Sequence, residues 1–199
     1  MFDPVALAHT LGYLGIGAVI FTETGLLVGL MLPGDSLLFS AGFISSLGYL
    51  HIAPLCAVAF IAAAVGDSVG YAIGKTYGPK VFTKEHSFFF DKQHVARAQE
   101  FYKKHGGKTI VFARFMPLIR TIAPVLAGVG SMRYSAFLTY NVLGAALWAG
   151  GVTLAGYFLG KTVPHADKLI IPFIAAIVVL SVIPSLIPIV KRYRNTKQK

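Results

Sequence analysis

Thr109 to Gly130 reads TIVFARFMPLIRTIAPVLAGVG, a run apolar enough for the inside of a bilayer that nevertheless carries Arg114 and Arg120 and holds Pro117 and Pro124. A plain spanning helix does not accommodate that combination. An Arg near the bilayer centre costs about 3 kcal/mol on insertion scales, and an interior proline removes a helical hydrogen bond and clashes with the preceding turn. Interrupted backbone at membrane depth survives only against protein or a water-filled cavity. The stretch therefore predicts a re-entrant hairpin over 109–130, broken at Pro117 and Pro124, that enters and returns with both guanidinium groups facing a polar site. On an unbroken helix the spacing of the two arginines would set them on faces about 120° apart.

The rest of the chain supports a bilayer setting. Of 199 residues, 55% are hydrophobic and 13% charged, against about 25% charged in ordinary soluble domains. The chain reads as an all-α integral membrane protein with a single membrane domain over 1–199. Its formal charge of +10 is concentrated: Lys75 to Lys108 holds eight basic and three acidic residues, Lys191 to Lys199 five basic and none acidic, and the remainder sums to zero. Basic residues flanking apolar spans follow the positive-inside rule, which puts both segments in the cytoplasm and removes the reason to invoke nucleic acid. The lone cysteine, Cys56, lies in an apolar run and signals no disulfide and no thiol chemistry. The N-terminus has Asp3 where a signal peptide would be basic, so residues 1–20 are expected to stay as an N-terminal helix.

Upstream, residues 21–46 form a second interrupted apolar stretch, with Glu23 and Asp35 on either side of the Pro33-Gly34 turn signal. It predicts a first re-entrant hairpin that brings the two carboxylates together. Residues 52–75 are long enough to span, since about 20 cross the hydrocarbon core, and their Gly66, Gly70 and Gly74 suggest close helix packing. Asp67 beside that stripe has two readings, a structural pair with a cation or a secondary role in proton movement. Segment 76–108 turns polar, and within it Asp91 to His105 predicts an amphipathic helix on the cytoplasmic membrane surface. After the arginine hairpin come spans over 134–160 and 169–190, then the basic tail 191–199.

Sliding the chain by 86 residues aligns Ala41-Gly42 with Ala127-Gly128, Ser45 with Ser131, Ala59 with Ala145, Ala63 with Ala149, Gly70-Tyr71 with Gly156-Tyr157 and Gly74-Lys75 with Gly160-Lys161. Hairpin plus span thus recurs as a unit. The cytoplasmic placements require the two units to run oppositely, which is the inverted-repeat architecture of secondary transporters, with interrupted segments marking the substrate site.

Three motifs carry a family resemblance: Phe21, Glu23 and Pro33-Gly34-Asp35; Gly66-Asp67, Gly70-Tyr71 and Gly74; and Phe112, Arg114-Phe115, Pro117, Arg120, Pro124 and Ala127-Gly128. In that order they resemble the DedA family of bacterial membrane proteins, the VTT-type transporters, over nearly the whole chain. The resemblance implies two opposed re-entrant hairpins, residence in the bacterial cytoplasmic membrane, and recycling of undecaprenyl phosphate driven by the proton-motive force. Glu23 and Asp35 match the family's functional acids, and Arg114 and Arg120 its functional arginines.

The residue chemistry fits such a cargo. Guanidinium groups at membrane depth form bidentate, charge-assisted hydrogen bonds to phosphate, a lipid tail stays in the bilayer, and buried carboxylates can trade a proton for the bound anion. Expected partners are a lipid phosphate, membrane lipids and protons; homo-oligomer formation is left open. The competing reading makes the four charged residues a salt-bridge cluster that staples the hairpins. A phospholipid scramblase or a cation/proton antiporter would keep the fold and change the cargo. Gly34-Asp35-Ser36-Leu37 together with Asp91 and His94 spells a GDSL-type esterase, but strand–helix alternation is missing and Ser36 and His94 are expected on opposite sides. No Walker, zinc-ligand or Rossmann spacing occurs, so neither catalysis nor a cofactor or metal is expected.

Overall fold

A computed structural model describes residues 4–26, 34–81 and 106–163, and every regular element among them is helical. In chain order these are α1 (Pro4–Gly25), α2 (Gly34–Ser46), α3 (Ile52–Val81), α4 (Lys108–Ala113), α5 (Pro117–Val129), α6 (Tyr134–Ala145), a π-helical turn (Ala146–Gly150) and α7 (Gly151–Thr162). Residues 27–33 of the first expected hairpin, the amphipathic helix expected over 91–105, the span expected over 169–190 and the tail lie outside the described residues.

Two helical stretches are long and apolar enough to cross a membrane: Ile52–Gly78, and Tyr134–Thr162 running through the π turn. Their outward surfaces carry Ile61, Val65, Leu143, Leu147 and Phe158, all exposed, while Asp67, Asn141 and Thr153 on the same helices are buried. Apolar outside and polar inside is the reverse of a soluble bundle and suits a hydrocarbon surround.

The decisive stretch breaks once. Met116 is extended, with φ −111° and ψ 107°, because the ring of a following proline pushes the preceding residue out of the helical region. Pro117 then occupies the first turn of α5, where an N–H is not needed. The expected second break at Pro124 is a correction: α5 continues through it to Val129. Pro124 is fully buried against α3 at Gly70, where a methyl group would make an ordinary contact with the proline ring at 3.5 Å. Interrupted backbone is tolerated at that depth because a neighbouring helix covers it with protein.

Boundaries elsewhere also move. α1 runs five residues past position 20 to Gly25, with Thr22 and Thr24 hydroxyls donating to the Ala18 and Ile20 carbonyls one turn back. Glu23 therefore rides on the end of a helix. α1 is tied to the start of α3 at Tyr13, whose hydroxyl accepts from the His51 N–H at 2.7 Å and donates to the His51 carbonyl. α3 itself extends beyond 75 to Val81.

Helix contacts are close because the residues between them are small. α1 and α5 lie along α3, and α2 lies along α7. Gly42 of α2 sits on the Thr153 carbonyl and Tyr157 backbone nitrogen of α7, and Gly128 of α5 sits on the Tyr71 carbonyl and Lys75 nitrogen of α3, so closely that a Cβ at either glycine would overlap backbone. One apolar cluster, Ile20, Leu38, Ala59, Ala63, Ala145, Trp148 and Ala149, joins α1, α2, α3 and the π turn. Another, centred on Tyr71 stacked on Phe137 at 4.6 Å, joins α3 to α4, α5 and α6.

α5 ends in a Schellman motif: the Met132 N–H donates to Ala127 O and the Ser131 N–H to Gly128 O. Ser131 holds the left-handed position at φ 54°, a conformation costing an L residue roughly 1 kcal/mol that glycine adopts freely. Ser131→Gly is expected to raise stability by about that amount, about 1 kcal/mol, in reversible unfolding in mixed micelles. An unchanged or lower stability would show that the Ser131 side chain offsets the strain.

Candidate functional site

Five ionisable side chains converge in the interior. Glu23 comes from the last turn of α1, Asp35 from the first turn of α2, Asp67 from the second half of α3, Arg114 from the break after α4, and Arg120 from the first turn of α5. The break is what allows the last two to meet neighbouring acids, since it removes the fixed angular offset of a continuous helix.

Arg120 binds both acids that flank the first interruption. Its Nη2 donates to Glu23 Oε1 at 2.6 Å and its Nη1 to Asp35 Oδ1 at 2.8 Å. Glu23 and Arg120 side chains are each 3% exposed, whereas Asp35 is 45% exposed. Gly34 permits the approach: its backbone lies so near the Glu23 carboxylate that any side chain there would collide with it.

Both terminal nitrogens of Arg114 are held by protein. Nη1 donates to the carbonyl and side-chain oxygens of Asn141 at 3.1 and 2.9 Å, and Nη2 to the Ala63 carbonyl at 3.1 Å and to Asp67 Oδ2 at 2.9 Å. Asn141 in turn donates to Ala64 O at 2.9 Å. Asp67 thus has a cationic partner, the structural pairing weighed for it. Asp67 Oδ1 and the Nε atoms of both arginines are buried without a hydrogen-bond partner among the described residues.

Trp148 joins the two halves. Its ring lies 4.5 Å from the Arg120 guanidinium and 5.7 Å from that of Arg114, a cation–π arrangement strengthened by desolvation. Its indole N–H donates to Asp35 Oδ1 at 2.6 Å. Asn141 and Trp148 escaped the sequence reading. Their signal was an amide in an apolar span and the chain's single tryptophan seven residues later, on nearly the same helix face. Of the esterase constellation, Ser36 lies in the first turn of α2, and Asp91 and His94 lie outside the described residues. Among the described residues, no group of three or more His, Cys, Asp or Glu is arranged to hold a metal ion.

Helices that turn apolar faces outward and enclose an arginine–carboxylate core define an integral membrane protein. The sequence pattern of the VTT domain matches residues 32–158. Protein DedA of Escherichia coli (strain K12) is 45% identical over 178 residues, covering 88% of this chain and 81% of the relative. Uncharacterized membrane protein ML0287 of Mycobacterium leprae (strain TN) is 44% identical over 177 residues, 89% of this chain and 79% of the relative. Uncharacterized membrane protein Rv0364 of Mycobacterium tuberculosis (strain ATCC 25618 / H37Rv) is 44% identical over 182 residues, 90% and 79% respectively. The chain belongs to the VTT-domain, or DedA, family of membrane proteins. No solved structure matches it.

Proposed function

We propose that the protein is a proton-coupled transporter that moves a lipid phosphate across the bacterial cytoplasmic membrane, with undecaprenyl phosphate, the cargo its family resemblance implies, as the substrate. The observation that carries this reading is Arg120: a buried guanidinium holding two carboxylates from different helices, one of them 45% exposed and so replaceable. A phosphate that takes the place of Asp35 gains charge-assisted hydrogen bonds in a dry setting. Arg114, engaged by four protein acceptors, contributes to the phosphate only if Asp67 lets go.

Charge counting supports proton coupling. Three carboxylates meet two guanidinium groups, so the fully ionised cluster carries net −1. Entry of an anion adds repulsion that low dielectric makes strong, and a proton on Glu23 or Asp35 relieves it. The tail has a path as well, because Phe112, Phe115, Met116 and Ile119 are exposed around the break beside the buried arginines. The same reading takes the fold as an inverted repeat of hairpin plus span. Its support is reciprocal packing: Gly42 and Gly128, 86 residues apart, each seat on backbone of the facing helix, Gly42 at the Thr153 carbonyl and Gly128 at the Tyr71 carbonyl, positions that correspond under the same shift to within one helical turn. Basic segments 75–108 and 191–199 are assigned to the cytoplasm by the positive-inside rule.

Proteoliposomes test the function. Flux of undecaprenyl phosphate is expected to rise several-fold under an imposed pH gradient and to collapse with a protonophore. Equal flux of neutral and anionic phospholipids, indifferent to the gradient, would favour a scramblase and overturn the proposal.

A further inference from the structure

We propose that Trp148 is a ligand of the transported phosphate, its indole N–H and the Arg120 guanidinium taking one phosphate oxygen between them when Asp35 swings out. This rests on the reading above, that the Arg120 site accepts a phosphate monoester carried on a lipid. Two donors from different elements, Arg120 Nη1 at 2.8 Å and Trp148 Nε1 at 2.6 Å, already meet on a single oxygen, Asp35 Oδ1. That oxygen stands where a phosphate oxygen would sit. The donors are buried and the acceptor is not: Trp148 is 1% exposed and Arg120 4%, against 45% for the Asp35 side chain.

A second donor lies on the Glu23 side of the guanidinium. Arg120 Nε is buried with no partner among the described residues and shares its edge of the guanidinium with Nη2, the nitrogen that holds Glu23, so a second phosphate oxygen reaches it only where Glu23 gives way as well. The ring of Trp148 covers one face of the Arg120 guanidinium, and the edge is where planar bidentate recognition occurs. The indole itself sits in the π-helical turn Ala146–Gly150. Such turns, rare in helices, recur at functional positions because the extra residue re-aims a side chain. Asp35 is thus a tethered surrogate for the cargo's headgroup. Glu23 on α1 shares Arg120 with it, and the Arg114–Asp67 pair lies across the Trp148 ring.

The test uses the full-length protein in dodecyl maltoside with dodecyl phosphate as probe, and dodecanol and inorganic phosphate as comparison arms. Trp148 is the only tryptophan, so its emission reports the event directly. Dodecyl phosphate is expected to shift it saturably and dodecanol to leave it unchanged. By calorimetry, Trp148→Phe, which keeps a ring over Arg120 and loses the donor, is expected to bind dodecyl phosphate about tenfold more weakly, the loss of one charge-assisted hydrogen bond. Asp35→Asn is expected to bind it at least about threefold more tightly, because a competing anion is gone. That gain distinguishes a ligand site from a structural contact, and it can be read even if Trp148→Phe fails to fold. Unchanged affinity in Trp148→Phe, with binding lost in Arg120→Ala, would overturn the role of Trp148 and leave the phosphate reading standing. Weaker binding in Asp35→Asn would also overturn it. Inorganic phosphate binding as tightly as dodecyl phosphate would overturn the lipid assignment, and no binding by the unaltered protein would sink both readings.

Discussion

Arg120→Lys is expected to lower lipid-phosphate flux by roughly two orders of magnitude while leaving a folded, monodisperse protein, since loss of a paired guanidinium contact is worth about 3 kcal/mol. Lysine keeps the charge but not the fork. Arg120 reaches Glu23 with one terminal nitrogen and Asp35 with the other, and Trp148 covers a face of that planar group. An ammonium offers three rotatable donors from one point and cannot span both acids in that geometry. It can still neutralise Glu23, so the fold persists. Initial rates in proteoliposomes, normalised to reconstituted protein, measure the effect. Near-normal flux in Arg120→Lys would mean that only charge matters at this position and would remove the bidentate grip from the account.

Arg114→Leu is expected to act on stability first, lowering it by about 4 kcal/mol, the scale on which removing one partner of a buried ion pair destabilises. Asp67 would be left with a 4%-exposed carboxylate and no cation, and the Ala63 and Asn141 carbonyls would lose a donor. Adding Asp67→Leu removes the stranded charge. The double variant is therefore expected to recover at least about half of the loss, as replacement of a whole buried pair by apolar groups is often nearly neutral. Reversible unfolding in mixed micelles, run as a double-mutant cycle, reads both numbers. Equal stability of Arg114→Leu and the unaltered protein would contradict the buried Arg114–Asp67 pairing.

Much of the site was legible in the chain because ionisable residues in apolar runs are expensive and must find one another. That argument singled out Glu23, Asp35, Arg114 and Arg120, and the structure brings the first two to one guanidinium. Which acid meets which arginine was not legible, since Asp67 reaches Arg114 from a helix more than 40 residues away in sequence. Pro117 could be read locally, because a proline constrains the residue before it wherever it stands. Pro124 could not: it is accommodated by burial against α3 at Gly70, a contact made only in the folded protein. Asn141 and Trp148 looked like ordinary members of a span, and only the π turn and the facing helices give them charged neighbours.

The central claim is that carboxylate and phosphate exchange at Arg120 and that protons travel with the exchange. It is tested most directly by loading proteoliposomes with a pH-sensitive dye, adding undecaprenyl phosphate outside, and recording proton movement and lipid-phosphate flux together. The account predicts proton movement that tracks flux in the unaltered protein and is lost in Glu23→Gln and Asp35→Asn, even where binding persists. Lipid-phosphate flux at full rate with no accompanying proton movement, or undiminished proton coupling in both variants, would contradict it.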